Sequence, residues 1–391
     1  MPFQQRLGHD VLRRIQDRVR RSLARSELDA LLTDDPDDVA YLTGFFHHPC
    51  ERPVIAYLPV DGEVRLLVPR LEREHAEWQR VAASVVDYPE FPGTVEPISR
   101  LAGAVPAAAR LGVPASMSIG RLALVEGCFP RAHVTPSYAV TRARWVKEPE
   151  EVALHREAGR ITDVMLHRGI DLVTDALRSG GALPSEAELA AYVGSVGAGI
   201  MDAEHEDVVV AGFRAGGLVY SGPNSARPHG LPSTHRLQPG ETFMLSLGCA
   251  VGGRYIEGER TFLLGEPSAD QRRYYEAVRS AQAAGAQALR PGVTCAEANR
   301  TCLQVIRDAG LGPYLQHRMG HGIGVGMHES PWLEDGDETV LEEGFVVSDE
   351  PGIYVTGHAG YRVSDSMLVT ADGAQALTTY PRSLDDIVVT A

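Results

Sequence analysis

HGIGVGMHESP (321–331) and SDEPGIY (348–354), read together with YIEGERTFLL (255–264), decide the fold. Glu257 and Glu259 stand two residues apart in a strand pattern, so their side chains emerge on one face. The preceding strand pattern, ending at Gly248, sets Ser246 beside them across a turn at Gly252 and Gly253. Carboxylates on one face of a buried sheet are costly unless protonated, paired or liganded. The glycines flanking His321 let backbone approach closely and leave its imidazole accessible. GPNSARPHGLP (222–232) adds His229. The result is a His/Glu constellation from well-separated segments, laid out like a dinuclear metal site. Two positions that would hold carboxylates in such a site are Ser246 and Ser364.

Outward from this stretch the chain reads as α+β. Val11, Leu12, Ile15, Val19 and Leu23 recur at three- and four-residue spacings, which predicts an amphipathic helix over 9–27. Short apolar runs from Asp29, Val54 and Val64 resemble strands, with Asp61 and Gly62 as a hairpin turn. Between the first two lies a loop-rich insert containing HHPC (47–50) and Arg52; the adjacent His47 and His48 cannot easily share one ion. A charged, Pro-containing segment at Lys147, Glu148 and Pro149 marks a boundary, giving domains of 1–146 and 147–391. Downstream, Ser185 with Glu188 and Thr294 with Glu297 form capping boxes that open helices, and a further helix runs through about 269–290. Strand patterns alternate with these helices, so the second domain is α+β with a mostly antiparallel sheet.

Composition narrows the partners. The 391 residues are 44% hydrophobic and 23% charged, ordinary for a globular chain. A net charge of −15 argues against nucleic acid or an anionic membrane as partner. Five scattered cysteines without a CxxC predict reduced thiols and a cytoplasmic setting. No apolar run approaches the roughly 20 residues that span a bilayer.

LTDDPDDVAYLTGF (32–45), VKEPEEVALHREA (146–158), GPNSARPHGLP, GHGIGVGMHESP (320–331) and DEPGIY (349–354) stand in one order along nearly the whole chain. In this the chain resembles the creatinase, aminopeptidase P and prolidase family. The resemblance implies the pita-bread fold, with a smaller α/β N-terminal domain before the catalytic domain, and a homodimer. It also implies that a family ligand set of Asp, Asp, His, Glu and Glu falls on Ser246, Glu257, His321, Glu350 and Ser364. Neutral serine is a poor ligand for hard divalent ions.

The departure points toward creatinase, the family's metal-free branch, because Glu259, Arg260 and Thr261 match its ERT. By that resemblance Glu259 binds a cationic group of the substrate, and His229 shuttles a proton to the leaving nitrogen, a role suited to imidazole. Arg52 falls where creatinase takes an arginine from the neighbouring subunit to hold the substrate carboxylate. The leading expectation is therefore a metal-independent, cofactor-free hydrolase of a C–N bond in a small carboxylate-bearing nitrogenous compound. His229, Glu259, Glu257, His321 and Glu350 are its catalytic candidates; Arg52, His328, Ser246 and Ser364 are its substrate-binding candidates. Three alternatives stand beside it. One is a metal-dependent Xaa-Pro aminopeptidase or dipeptidase with a reduced site on Glu257, His321 and Glu350. Another is a lyase or isomerase using the same His/Glu pair, and the last a non-catalytic peptide-binding module.

Overall fold

The apolar stripe of the first helix finds its core in an N-terminal sheet. The structure is a computed structural model that describes residues 2–210 and 212–391. Two compact units emerge, one of residues 6–144 and one formed chiefly by 145–208 and 212–391. In the first, α1 (His9–Arg25) buries Val11, Leu12, Ile15, Val19 and Leu23. Six strands follow: β1 (Ala30–Thr33), β2 (Ile55–Pro59), β3 (Arg65–Pro69), β4 (Ser84–Tyr88), β5 (Arg110–Pro114) and β6 (His133–Ser137). Their order is β4-β3-β2-β1-β5-β6. The β2–β3 pair is the antiparallel hairpin that Asp61 and Gly62 predict, with Gly62 at φ +111°. Outer pairs are parallel, since helices return the chain between them.

The second unit opens with α2 (Pro149–Ser179), started by Pro149 and a capping box of Glu148 with Glu151. The Ser185/Glu188 box starts α3 (Glu186–Glu204). A sheet of nine strands among the described residues then forms, most of its pairs antiparallel. Its two longest strands form a hairpin, β7 (Thr242–Val251) and β8 (Arg254–Leu264). Gly252 and Gly253 close it at φ +56° and +71°, a left-handed pair that side-chain-bearing residues adopt at a cost. Helices α4 (Ala269–Ala288) and α5 (Cys295–Asp308) carry the capping boxes of Ser268 with Gln271 and Thr294 with Glu297.

Two continuous strand-like stretches of sequence are each broken in the structure. FVVSDEPGIYV divides into β9 (Val346–Asp349) and β10 (Gly352–Val355), because Pro351 lacks the N–H that would continue the ladder. YRVSDSMLVT divides at Val363 into β11 (Ala359–Arg362) and β12 (Ser364–Thr370). β9 and β12 stay in the large sheet, while β10 and β11 pair as a separate ribbon. The breaks place Glu350 and Arg362 where the chain leaves one sheet for the other.

Buried ion pairs hold this frame. Arg260 donates to Asp365 at 2.8 Å with both side chains fully buried, and also reaches the carbonyl of Ser364 at 2.7 Å. Arg254 meets Glu151 at 2.8 Å, equally enclosed. Breaking one partner of such a pair typically costs about 3–5 kcal/mol. All five cysteines are free, and no helix among the described residues is long and apolar enough to cross a membrane.

Candidate active site

Register does most of the assembly. Ser246 lies opposite Glu259 in the β7–β8 hairpin and Gly248 opposite Glu257, so the two carboxylates and the serine share one face. On the other side of β8, Glu259 faces Ser364 of β12. A side chain at Gly248 would drive its Cβ to 2.3 Å from the Ile256 carbonyl, so this position has to be glycine.

His321 sits in a short strand (Gly320–Gly322) bonded to β9. The Ser348 hydroxyl accepts from its backbone N–H at 3.0 Å, and its own Nδ1–H donates to the Gly322 carbonyl at 3.0 Å. That leaves Nε2, buried and with no hydrogen bond, facing Glu350 Oε1 at 3.3 Å and Glu257 Oε1 at 3.7 Å. His328 packs against it, ring centroids 3.9 Å apart. Burial opposes ionisation of all these groups, and their charges divide accordingly. Burial and the nearby Glu350 raise the Glu257 carboxyl, whereas the close His321 imidazole overcomes burial and holds Glu350 down. Against its own burial, His321 is lifted to about 9 by Glu257 and Glu350. Burial and then the His321 charge push His328 down to about 4.

Glu259 has a different partner. The Arg362 guanidinium grips it as a fork, with Nη2 at 2.8 Å from Oε1 and Nε against Oε2. Ser246 donates its hydroxyl to the same carboxylate, and Arg362 further reaches Ser246 Oγ and the Tyr220 hydroxyl, each at 3.1 Å, and the Tyr354 hydroxyl at 3.2 Å. Ser364 Oγ lies 3.4 Å from Glu257 Oε1.

Ser246, Glu257, Glu259, His321, His328, Glu350 and Arg362 line a cavity of about 1190 Å³, with Phe213, Leu218, Ile256 and Met327 as apolar wall. His229 is exposed on the loop at its edge. That loop is pinned from beneath by Glu186, a fully buried acid at the start of α3. Glu186 accepts from the Ser221 amide and hydroxyl (2.6 and 2.9 Å), the Asn224 amide (2.9 Å) and the Ser233 amide and hydroxyl (2.8 and 2.7 Å). The structure thus brings together eight of the nine residues singled out in the sequence; seven of them, without Ser364, line the cavity itself. Arg52 belongs to the N-terminal unit, where it pairs with Glu51 at 2.9 Å, and it is not among the lining residues. Arg362, Tyr220, Tyr354 and Glu186 escaped sequence reading. The YR preceding Val363 was the only local signal for any of them.

The donor set fits one divalent cation. One ligand atom each from Glu257, His321 and His328 lies within 4.8 Å of the others, and His321 is fixed in the tautomer that offers Nε2. It does not fit two. Where a second ion would need carboxylates there are the hydroxyls of Ser246 and Ser364, and Arg362 already supplies positive charge beside Ser246.

Fold and His/Glu site together define a pita-bread hydrolase acting on C–N bonds, and the comparisons agree. Residues 153–371 match the model of metallopeptidase family M24, and residues 14–146 match the creatinase/prolidase N-terminal domain. The chain is 30% identical to the Xaa-Pro dipeptidase of Lactobacillus delbrueckii subsp. lactis, over 94% of this chain and 97% of that one. It superposes on the dipeptidase PepE of Mycobacterium ulcerans with a TM-score of 0.84 at 31% identity, covering 99% and 100% of the two chains. On the prolidase of Pyrococcus horikoshii OT3 the TM-score is 0.81 at 26% identity, covering 95% and 99%. The chain belongs to the metallopeptidase family M24.

These relatives overturn one expectation. Metal-independent, creatinase-like hydrolysis is the wrong reading, because the similar proteins are Xaa-Pro dipeptidases and prolidases within a metallopeptidase family. The two serines do remove carboxylate charge, but they leave intact the Glu257, His321 and His328 donors, which suffice for one cation.

Proposed function

We propose that this chain is a metal-dependent Xaa-Pro dipeptidase working with a reduced, one-cation centre. The observation that carries the reading is the buried His321 Nε2, held without a hydrogen bond between Glu350 and Glu257 on the floor of the cavity. The names of the relatives supply the substrate class. Glu257, His321 and His328 would hold the cation, with Glu350 beside them. When bound, it supplies Lewis acidity to the scissile carbonyl and lowers the pKa of water.

The chain's own groups do the rest. Glu350, hydrogen-bonded by Ser348 at 3.4 Å, is the carboxylate placed to take a proton from the attacking water. His229, exposed at the cavity edge, is placed to return a proton to the leaving imino nitrogen. Glu259 holds the Arg362 guanidinium in place beside Ser246, and the apolar wall receives the N-terminal side chain of the dipeptide. A homodimer in the cytoplasm completes the reading, and light scattering on the purified chain checks the assembly. The direct test is elemental analysis of purified protein together with hydrolysis of alanyl-proline, with and without added manganese. One bound ion per chain and chelator-sensitive cleavage uphold the reading. Full activity in metal-stripped protein sinks it.

A further inference from the structure

Three guanidinium groups line the cavity, and two are committed to the protein's own carboxylates. Arg362 is gripped by Glu259 at 2.8 Å. Arg318 donates to Glu334 at 3.0 Å and lies over the Trp332 ring, 4.3 Å from its centroid. Arg227 differs. Its side chain is exposed, makes one long bond of 3.4 Å to Asn224 Oδ1, and has no carboxylate within 4.0 Å among the described residues. In a chain of net charge −15, an uncommitted guanidinium at the edge of a catalytic cavity is a specific place for an anion.

Its backbone is held in place. Arg227 has φ −110° and ψ 108°, and both Arg227 and His229 border the cavity across a turn of this loop. The Gly230 amide donates to the Arg227 carbonyl at 2.9 Å, and the Tyr220 hydroxyl donates to the Pro228 carbonyl at 3.0 Å. Asn224, which touches the guanidinium, is itself bonded to the buried Glu186 at 2.9 Å. The loop is therefore preorganised, while the tip of Arg227 stays available.

We propose that Arg227 is the carboxylate anchor of the cavity, taking the free C-terminal carboxylate of a dipeptide and so restricting the enzyme to substrates that end one residue past the scissile bond. The inference rests on the dipeptidase reading. A guanidinium fork matches a carboxylate with two parallel hydrogen bonds, and neither an amide nor a continuing peptide chain offers that charge at the same place.

The experiment compares alanyl-proline with alanyl-prolinamide on wild type, Arg227→Ala and Arg227→Lys. In Arg227→Ala the KM for the free acid rises about 10–100-fold, the loss expected of a charge-assisted contact, while kcat changes little. The KM for the amide stays the same in all three proteins, and Arg227→Lys recovers part of the preference for the acid. Equal changes for acid and amide, or none for either, overturn the proposal. If wild type cleaves neither compound, the dipeptidase reading fails by itself. Arg227 is then judged by calorimetric dissociation constants for the same pair: selective weakening of the acid upholds the anchor, and unchanged affinity overturns it.

Discussion

Arg362 and Glu259 form a buried ion pair, Nη2 to Oε1 at 2.8 Å, with the Ser246 hydroxyl touching both members. Removing either partner leaves the other as an uncompensated charge in the interior. We expect Arg362→Met and Glu259→Gln each to lower stability by about 3–5 kcal/mol, with the double variant losing much less than the sum. Urea titrations through a double-mutant cycle measure this. Single losses below about 1 kcal/mol would mean that water reaches the pair and screens it.

His321 has its Nδ1 spent on the Gly322 carbonyl and Nε2 aimed at two carboxylates. His321→Ala should abolish stoichiometric cation binding and reduce dipeptide cleavage to background, with a far-ultraviolet dichroism spectrum like that of wild type. Elemental analysis after gel filtration provides the readout. Retention of a full equivalent of metal would remove His321 from the ligand set.

Glu186 accepts five hydrogen bonds beneath the loop that carries His229. Glu186→Gln presents an NH2 group to donors that need an acceptor, at a cost of about 1–3 kcal/mol. The 222–232 loop should then be nicked faster by protease, and kcat should fall more than KM rises. A variant with wild-type proteolysis and kcat would show that Asn224 and Ser233 hold the loop unaided.

His155 is fully buried, its Nδ1 bonded to the Tyr255 carbonyl at 2.8 Å, and burial together with the charges of Lys147 and Arg254 drives its pKa well below 6.5. The unfolded chain binds this proton first as pH falls, so the native state loses stability below about pH 6.5, and above that pH the contribution is fully present. The slope from this group approaches about 1.4 kcal/mol per pH unit. Chemical denaturation of wild type and His155→Gln at pH 7.5, 6.0 and 5.5 should show the smaller decline in the variant. Parallel declines would contradict a neutral His155.

Much of the site was legible because strand geometry is local. The two-residue spacing of Glu257 and Glu259, the glycine turn after Val251 and the glycines around His321 place those groups by rules that need no tertiary information. The partner of Glu259 was not legible. Its pairing depends on the break at Val363, which carries Arg362 into a separate ribbon, and nothing around Val363 announces a break as Pro351 does. Glu186 reads in sequence as an ordinary acidic residue in the first turn of a helix; that it clamps a loop 35 to 47 residues away is visible only after folding. His328 becomes a credible third donor only because the ladder shifts register between His321 and Gly322, bringing the two rings together.

The fork of Arg362 on Glu259 also bears on how the enzyme meets its surroundings. Charge borrowed from solution comes and goes with ion supply, pH and competing chelators, whereas a guanidinium is attached to the chain and stays protonated. Around Ser246 the electrostatics are therefore set at translation, and under the one-cation proposal only the Glu257–His321 half of the cavity would answer to metal scarcity.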